Sequence, residues 1–203
     1  LYVDPAPVVN ASAYCGYGED GAWIVTVTSG AIRLLDDKQL QFLLGHELGH
    51  HAFGHGQFSE DLNLVYQDAP QSDLLLSRLR VFERLQELSA DRAGALALGG
   101  DVAGAAEALL RVHTGLGPED LRLDLGVFLE EIERLEAFDI PDQIGLLSHP
   151  LLPLRVRALQ LHLGPGDCEN EVLALARMMD YEARDEKMVR SRDLLLAGGL
   201  LAA

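Results

Sequence analysis

The chain is poor in lysine, in cysteine and in long apolar runs. Lys38 and Lys187 are its two lysines, so arginine supplies nearly all the positive charge. Lysine and arginine together number 16 against 32 acidic residues, a formal net charge of −16. So acidic a chain offers no basic face for nucleic-acid phosphates, nor for an anionic membrane surface. Net charge speaks to solubility and steering, and it names no partner. Cys15 and Cys168 make no C-x-x-C pair and are too few for a disulfide framework, so two unbridged thiols are expected. No run of 18 apolar residues occurs, which excludes a bilayer-spanning helix within this sequence. Leu1 opens no signal-peptide pattern, so the chain reads as an excised or processed piece and its compartment stays open. The oligomeric state stays open too.

What is present suits a folded enzyme-sized domain. A length of 203 residues fits one domain plus a small appendage, and 48% hydrophobic with 24% charged residues is a globular balance. Ala22 to Thr28 (AWIVTVT) reads as a strand, and Val8 to Tyr14 as a second, partly exposed one. From Leu35 the pattern turns helical. Asp36 and Asp37 are N-cap candidates, followed by Leu40, Leu43, Leu44 and Leu48 at helical spacing, with an end near Gly54. Further helices are expected over 73–98, 101–113, 119–138 and 154–163. Gly164-Pro165-Gly166 reads as a linker. The expected organisation is therefore a domain over 1–163 and a helical tail over 164–203.

The chemistry concentrates in His46-Glu47-Leu48-Gly49-His50, an H-E-x-x-H motif on a predicted helix. At 3.6 residues per turn His46 and His50 stand about 40° apart on one face, and Glu47 stays within about 100° of both. Two imidazoles so placed can grip one metal ion, with a carboxylate beside them to handle a water proton. A catalytic zinc needs a third protein ligand. The metzincin extension would place glycine at 53 and histidine at 56, but Phe53 and Gly56 stand there and His55 is off by one. A glutamate on a later helix is the other solution. Glu87 fits, although alone it also reads as a solvated charge like Glu83. Asp91, one turn on and on the same face, is placed to accept a hydrogen bond from a ligand histidine. Ala90 and Gly94 are small enough to let that helix pack close. The other histidines, His51, His55, His113 and His162, read as surface, loop or helix-end groups, and Trp23 as core.

Three separated segments, T-S-G-A-I-R-L-L-D-D-K-Q-L-Q-F-L-L-G-H-E-L-G-H-H, E-L-S-A-D-R-A-G and S-H-P-L-L-P-L-R-V, occur in an order that resembles the HtpX-like and CAAX-prenyl-protease-like family of gluzincin peptidases. The resemblance covers about Asn10 to Leu163. It implies an α+β, mainly helical zincin-like fold with a small antiparallel sheet. It implies a zinc metalloendopeptidase acting on peptide or protein substrates, with His46, His50 and Glu87 as zinc ligands. Glu47 would be the general base and Asp91 the support of a ligand histidine. It adds His149 and Arg155 as catalytic candidates: His149 at the oxyanion, or over the metal as a latency element, and Arg155 ahead of Arg157. Asn10, Ala11 and Ser12 would receive substrate as an added strand. The alternative is a latent or inactive peptidase fold that binds zinc and acts as a scaffold. The family's integral-membrane members carry spanning helices. None is present in this sequence, which puts prenylated substrates in doubt.

Overall fold

In a computed structural model, residues 1–15, 23–56, 73–120, 124, 126–128, 130 and 149–163 are described. Three strands, β1 (Tyr2–Asp4), β2 (Ala11–Cys15) and β3 (Trp23–Thr28), form a sheet in the order β1-β3-β2. β2 runs antiparallel to β3, but β1 runs parallel to it. The sheet is therefore mixed, where an antiparallel one was expected. The reason lies in the segment between β1 and β2. Pro5 and Pro7 have no N–H to give a ladder, so the segment crosses the end of β3 instead of turning back in a hairpin. There the Ser29 hydroxyl donates to the Pro5 and Ala6 carbonyls, and the Gly30 N–H to that of Ala6. The Thr28 hydroxyl accepts from Asn10 N–H at 3.0 Å and lies 2.6 Å from the Val8 carbonyl, to which it donates.

The same threonine caps α1 (Ser29–Leu34) by accepting from Ala31 N–H. After Leu35 the chain enters α2 (Asp37–Ala52) through a reciprocal cap. Gln39 N–H donates to Asp36 Oδ1, and Asp36 N–H to Gln39 Oε1. Such a box satisfies two end donors at once and contributes about 1 kcal/mol. α3 (Asp73–Ala97) ends in Gly99 and Gly100, whose φ of 69° and 86° side-chain-bearing residues rarely adopt. α4 (Val102–Thr114) follows, capped by Asp101, and α5 (Leu152–Leu163) is the last described element. Residues 126–128 and 130 are helical, whereas 118–120 form a turn, so the helix expected from 119 starts later. The observed content, mostly helix with a small three-stranded sheet, is the expected α+β, mainly helical class. No helix among the described residues is long and apolar enough to cross a membrane. The expected tail over 164–203, like Cys168, lies outside the described residues.

The chain divides into two compact units. Unit one comprises Leu1–Asp68 and Ser89–Leu125, so it holds the sheet, α1, α2, α4 and the second part of α3. Its core joins Ala11, Val27, Ala31, Leu35 and Leu43, with Val9, Leu34, Leu40 and Val112 packed on them. Alternation along β3 puts Val25 and Val27 inside. Unit two comprises Ala69–Leu88 and Gly126–Ala203. In it Leu154 of α5 is buried among Leu85, Leu88, Leu151, Ala158 and Leu161.

Within unit one, α2 and α3 meet along a seam of small residues. A Cβ added at Gly49 would stand 2.7 Å from the Ala93 Cβ, and one at Gly45 2.9 Å from the Ala97 Cβ. Gly94 repeats this from the other side, 2.8 Å from the Phe42 carbonyl oxygen. Those separations are shorter than van der Waals contact, so only glycine permits this approach of the two backbones. The seam sets Asp91 of α3 against His46 of α2.

Candidate metal centre

His46, Glu47 and His50 lie on α2, where His46 is 7% and Glu47 8% exposed. His50 and His51 occupy the last turn, and the partial negative charge of a helix C-terminus favours a cation there. Asp91 is fully buried, and its Oδ1 lies 2.9 Å from His46 Nδ1. A carboxylate oxygen only accepts, so His46 donates through Nδ1–H, which leaves Nε2 as the ring atom turned toward His50. That nitrogen stands 3.1 Å from His50 Nε2. Two nitrogens bound to one zinc stand roughly 3 to 3.5 Å apart, so the rings are spaced to share an ion.

Glu87 comes one turn before Asp91 on the unbroken α3 and is 9% exposed. One ligand atom each from His46, His50 and Glu87 lie within 4.8 Å of one another. Two imidazoles and a carboxylate are a donor set suited to a divalent metal with a place left for water. Glu87 Oε2 also faces the guanidinium of Arg155, with Nη2 at 3.5 Å, and the imidazole of His149, with Nε2 at 3.6 Å. Both distances lie at or beyond the edge of a direct hydrogen bond, and that to Arg155 is an ion-pair distance. Arg155 is 3% exposed, whereas the His149 ring is 57% exposed. Arg157 turns elsewhere and donates to Gln160 Oε1, so Arg155 is the arginine beside the glutamate.

Asn10, Ala11 and Ser12 lie at the start of the edge strand β2, which packs against α2. Ala11 is buried in the core, and Ser12 pairs with Thr26. β2 has β3 on one side, and no strand among the described residues pairs with its other edge. Trp23 stacks on His51, ring centroids 3.8 Å apart, so both serve packing. His113 ends α4 with Nδ1 2.9 Å from the Leu109 carbonyl, a helix-end role as expected.

His55 is where sequence reasoning missed a contributor. Read as a loop group, it is 8% exposed, with Nδ1 2.9 Å from His50 Nδ1 and Nε2 3.2 Å from the Ser89 hydroxyl. Burial, and then the charge of His46, push its pKa down to about 4, so it is neutral at physiological pH. The signal was Gly54: its φ of 67° turns the chain at the end of α2 and brings the next residue back to His50.

Residues 2–70 match the profile of Peptidase family M48, a span that includes His46, Glu47 and His50. The chain is also 31% identical to Plastoglobule-localized metallopeptidase 48, chloroplastic, of Arabidopsis thaliana, over 175 residues that cover 78% of this chain. The chain belongs to peptidase family M48. The match takes in 50% of the Arabidopsis relative, so this M48 chain spans about half of that protein's length. No solved structure matches it.

The Asp91 contact yields an expected result for this M48 chain. Asp91→Ala is expected to lower affinity for a divalent metal about 10- to 100-fold, the usual loss when the partner orienting a metal-binding histidine is removed. Competition against a chromophoric chelator measures it, and equal affinities would contradict the assignment.

Proposed function

We propose that this chain carries the catalytic centre of a zinc-dependent endopeptidase. The observation that carries the proposal is the meeting of His46, His50 and Glu87 ligand atoms within 4.8 Å. The buried Asp91 contact to His46 supports it, as do the family and the relative's description as a metallopeptidase. In this reading His46, His50 and Glu87 hold the metal. A bound zinc supplies Lewis acidity, polarising the scissile carbonyl and lowering the pKa of water. Glu47, adjacent to His46 on α2, takes a proton from the attacking water and delivers it to the leaving amide nitrogen. Arg155 holds the Glu87 carboxylate in place, and the exposed His149 ring offers an N–H to the developing oxyanion. The outer edge of β2, from Asn10 through Ser12, accepts the substrate backbone as an added strand. The partner is a peptide or protein, without nucleic acid.

The test is a casein or quenched-peptide cleavage assay paired with metal analysis of the same protein. Cleavage that stops with chelator and returns with stoichiometric zinc is the expected result. Metal bound one to one without turnover would replace this reading with a latent peptidase fold. Absence of metal binding would remove both.

A further inference from the structure

β2 carries a large exposed aromatic that the proposed reaction leaves unused. Tyr14 is 62% exposed, and Ile24, its cross-strand partner on β3, is 38% exposed. Alternation puts Ala11 and Ala13 on the same face as the buried Val25 and Val27, and turns Ser12 and Tyr14 to the other face. Tyr14 and Ile24 therefore stand side by side on the outer face of the sheet, an aromatic beside a β-branched residue. On the far side of Tyr14 no strand among the described residues continues the sheet.

Helix geometry fixes how that edge lies against α2. Both β2 and β3 pack on α2. Counted from His46, His50 stands at about 40° around the helix, Leu43 at about 60° and His51 at about 140°. Leu43 shares a core with Ala11 of β2, whereas His51 stacks on Trp23 of β3. The edge strand β2 thus lies on the side of the sheet nearer the paired histidines. The levels along α2 match too. Trp23 pairs with Cys15, so β2 runs from the level of Leu43 to that of His51. The rise from Leu43 to His51 is about 12 Å, and that from Ala11 to Cys15 about 13 Å. Ala13, midway along β2, falls level with Glu47, midway between Leu43 and His51.

We propose that Tyr14 is a specificity-determining residue, which selects peptides with an apolar or aromatic side chain at the one position that pairs with it across the free edge of β2. This rests on the peptidase reading above and its added substrate strand. A backbone laid along that edge repeats the pleat. Its residue opposite Ala13 turns toward α2, at the level of Glu47, and the neighbour opposite Tyr14 turns outward. Directly opposed residues hold their Cβ atoms about 4.5 to 5.5 Å apart, so that outward side chain lies along the Tyr14 ring. Ile24 stands on the other side of the ring and makes the row apolar. Such a cross-strand pair supplies about 2- to 5-fold discrimination against a small residue. The contact is made alike in the bound peptide and in the transition state, so it acts on KM and leaves kcat unchanged.

The test is cleavage of a peptide library by wild type, Tyr14→Ser and Tyr14→Lys, with products sequenced by mass spectrometry. Wild type should favour phenylalanine, leucine or isoleucine at one fixed position next to the scissile bond. Tyr14→Ser should flatten the preference at that position and at no other. Tyr14→Lys should move it to aspartate and glutamate at the same position, because opposite charges attract across a strand pair. A variant that merely folds poorly slows every peptide alike and gains no new preference. For two peptides that differ only at that position, the wild-type difference should lie in KM. An unchanged preference in both variants would overturn the proposal alone, as would a loss equal for every peptide. A wild-type chain that cleaves no peptide would overturn it together with the peptidase reading.

Discussion

Glu47→Gln is expected to keep its metal and lose its catalysis. Glutamine matches glutamate in size and can occupy the same buried place on α2, where Glu47 is 8% exposed. His46 and His50, the neighbours proposed to hold the ion, are untouched. What disappears is the capacity to take a proton from water and return it to the departing nitrogen. Positioned acid–base groups contribute about 10²- to 10⁴-fold, so the rate of peptide hydrolysis should fall by that factor. Zinc content should stay at one per chain. The measurement is kcat/KM on one peptide for both proteins, with metal content determined on the same samples. Cleavage at the wild-type rate by the glutamine form would remove Glu47 from the mechanism, whatever the metal does.

Glu87→Ala has the second large effect, and it acts through two routes. It removes the sole carboxylate among the three proposed ligand groups, leaving two imidazoles. Losing a direct ligand should cost more zinc affinity than the 10- to 100-fold expected for a supporting contact such as Asp91. It also strips a negative partner from Arg155, which is 3% exposed and 3.5 Å from Glu87 Oε2. Removing one partner of a buried ion pair costs on the order of 3 kcal/mol. The two routes separate by experiment. Chelator competition reads the affinity, and urea unfolding of the metal-free proteins reads the loss that has nothing to do with zinc. A variant that holds zinc as tightly as wild type would reassign the third ligand. Equal metal-free stabilities would mean that Arg155 draws its support from elsewhere.

Much of this was legible because local chemistry encodes it. Asp36 and Gln39 announce the start of α2 through reciprocal capping. Gly99 and Gly100 announce the end of α3, because few other residues tolerate a left-handed backbone. The i, i+4 spacing puts His46 and His50 on one helical face in any fold that keeps the helix. The direction of β1 was not legible. It depends on where the Pro5 to Asn10 segment docks, and the Thr28, Ser29 and Gly30 partners that hold it lie some twenty residues away.

The sequence by itself determined that His46 and His50 share one helical face with Glu47 adjacent, and the helix that carries them, since helix periodicity needs no tertiary information. It also narrowed the candidate for a third ligand to a later glutamate without separating Glu87 from an ordinary surface charge. Only the tertiary structure decided the rest. The glycine and alanine seam between α2 and α3 sets Asp91 against His46, and the unbroken α3 then carries Glu87 one turn away. Burial and distance placed Arg155, and not Arg157, beside that glutamate. The turn at Gly54 moved His55 from an expected loop into contact with His50. These are contacts between residues far apart in sequence, or across a reversal of the chain, and such contacts are set by packing rather than by spacing.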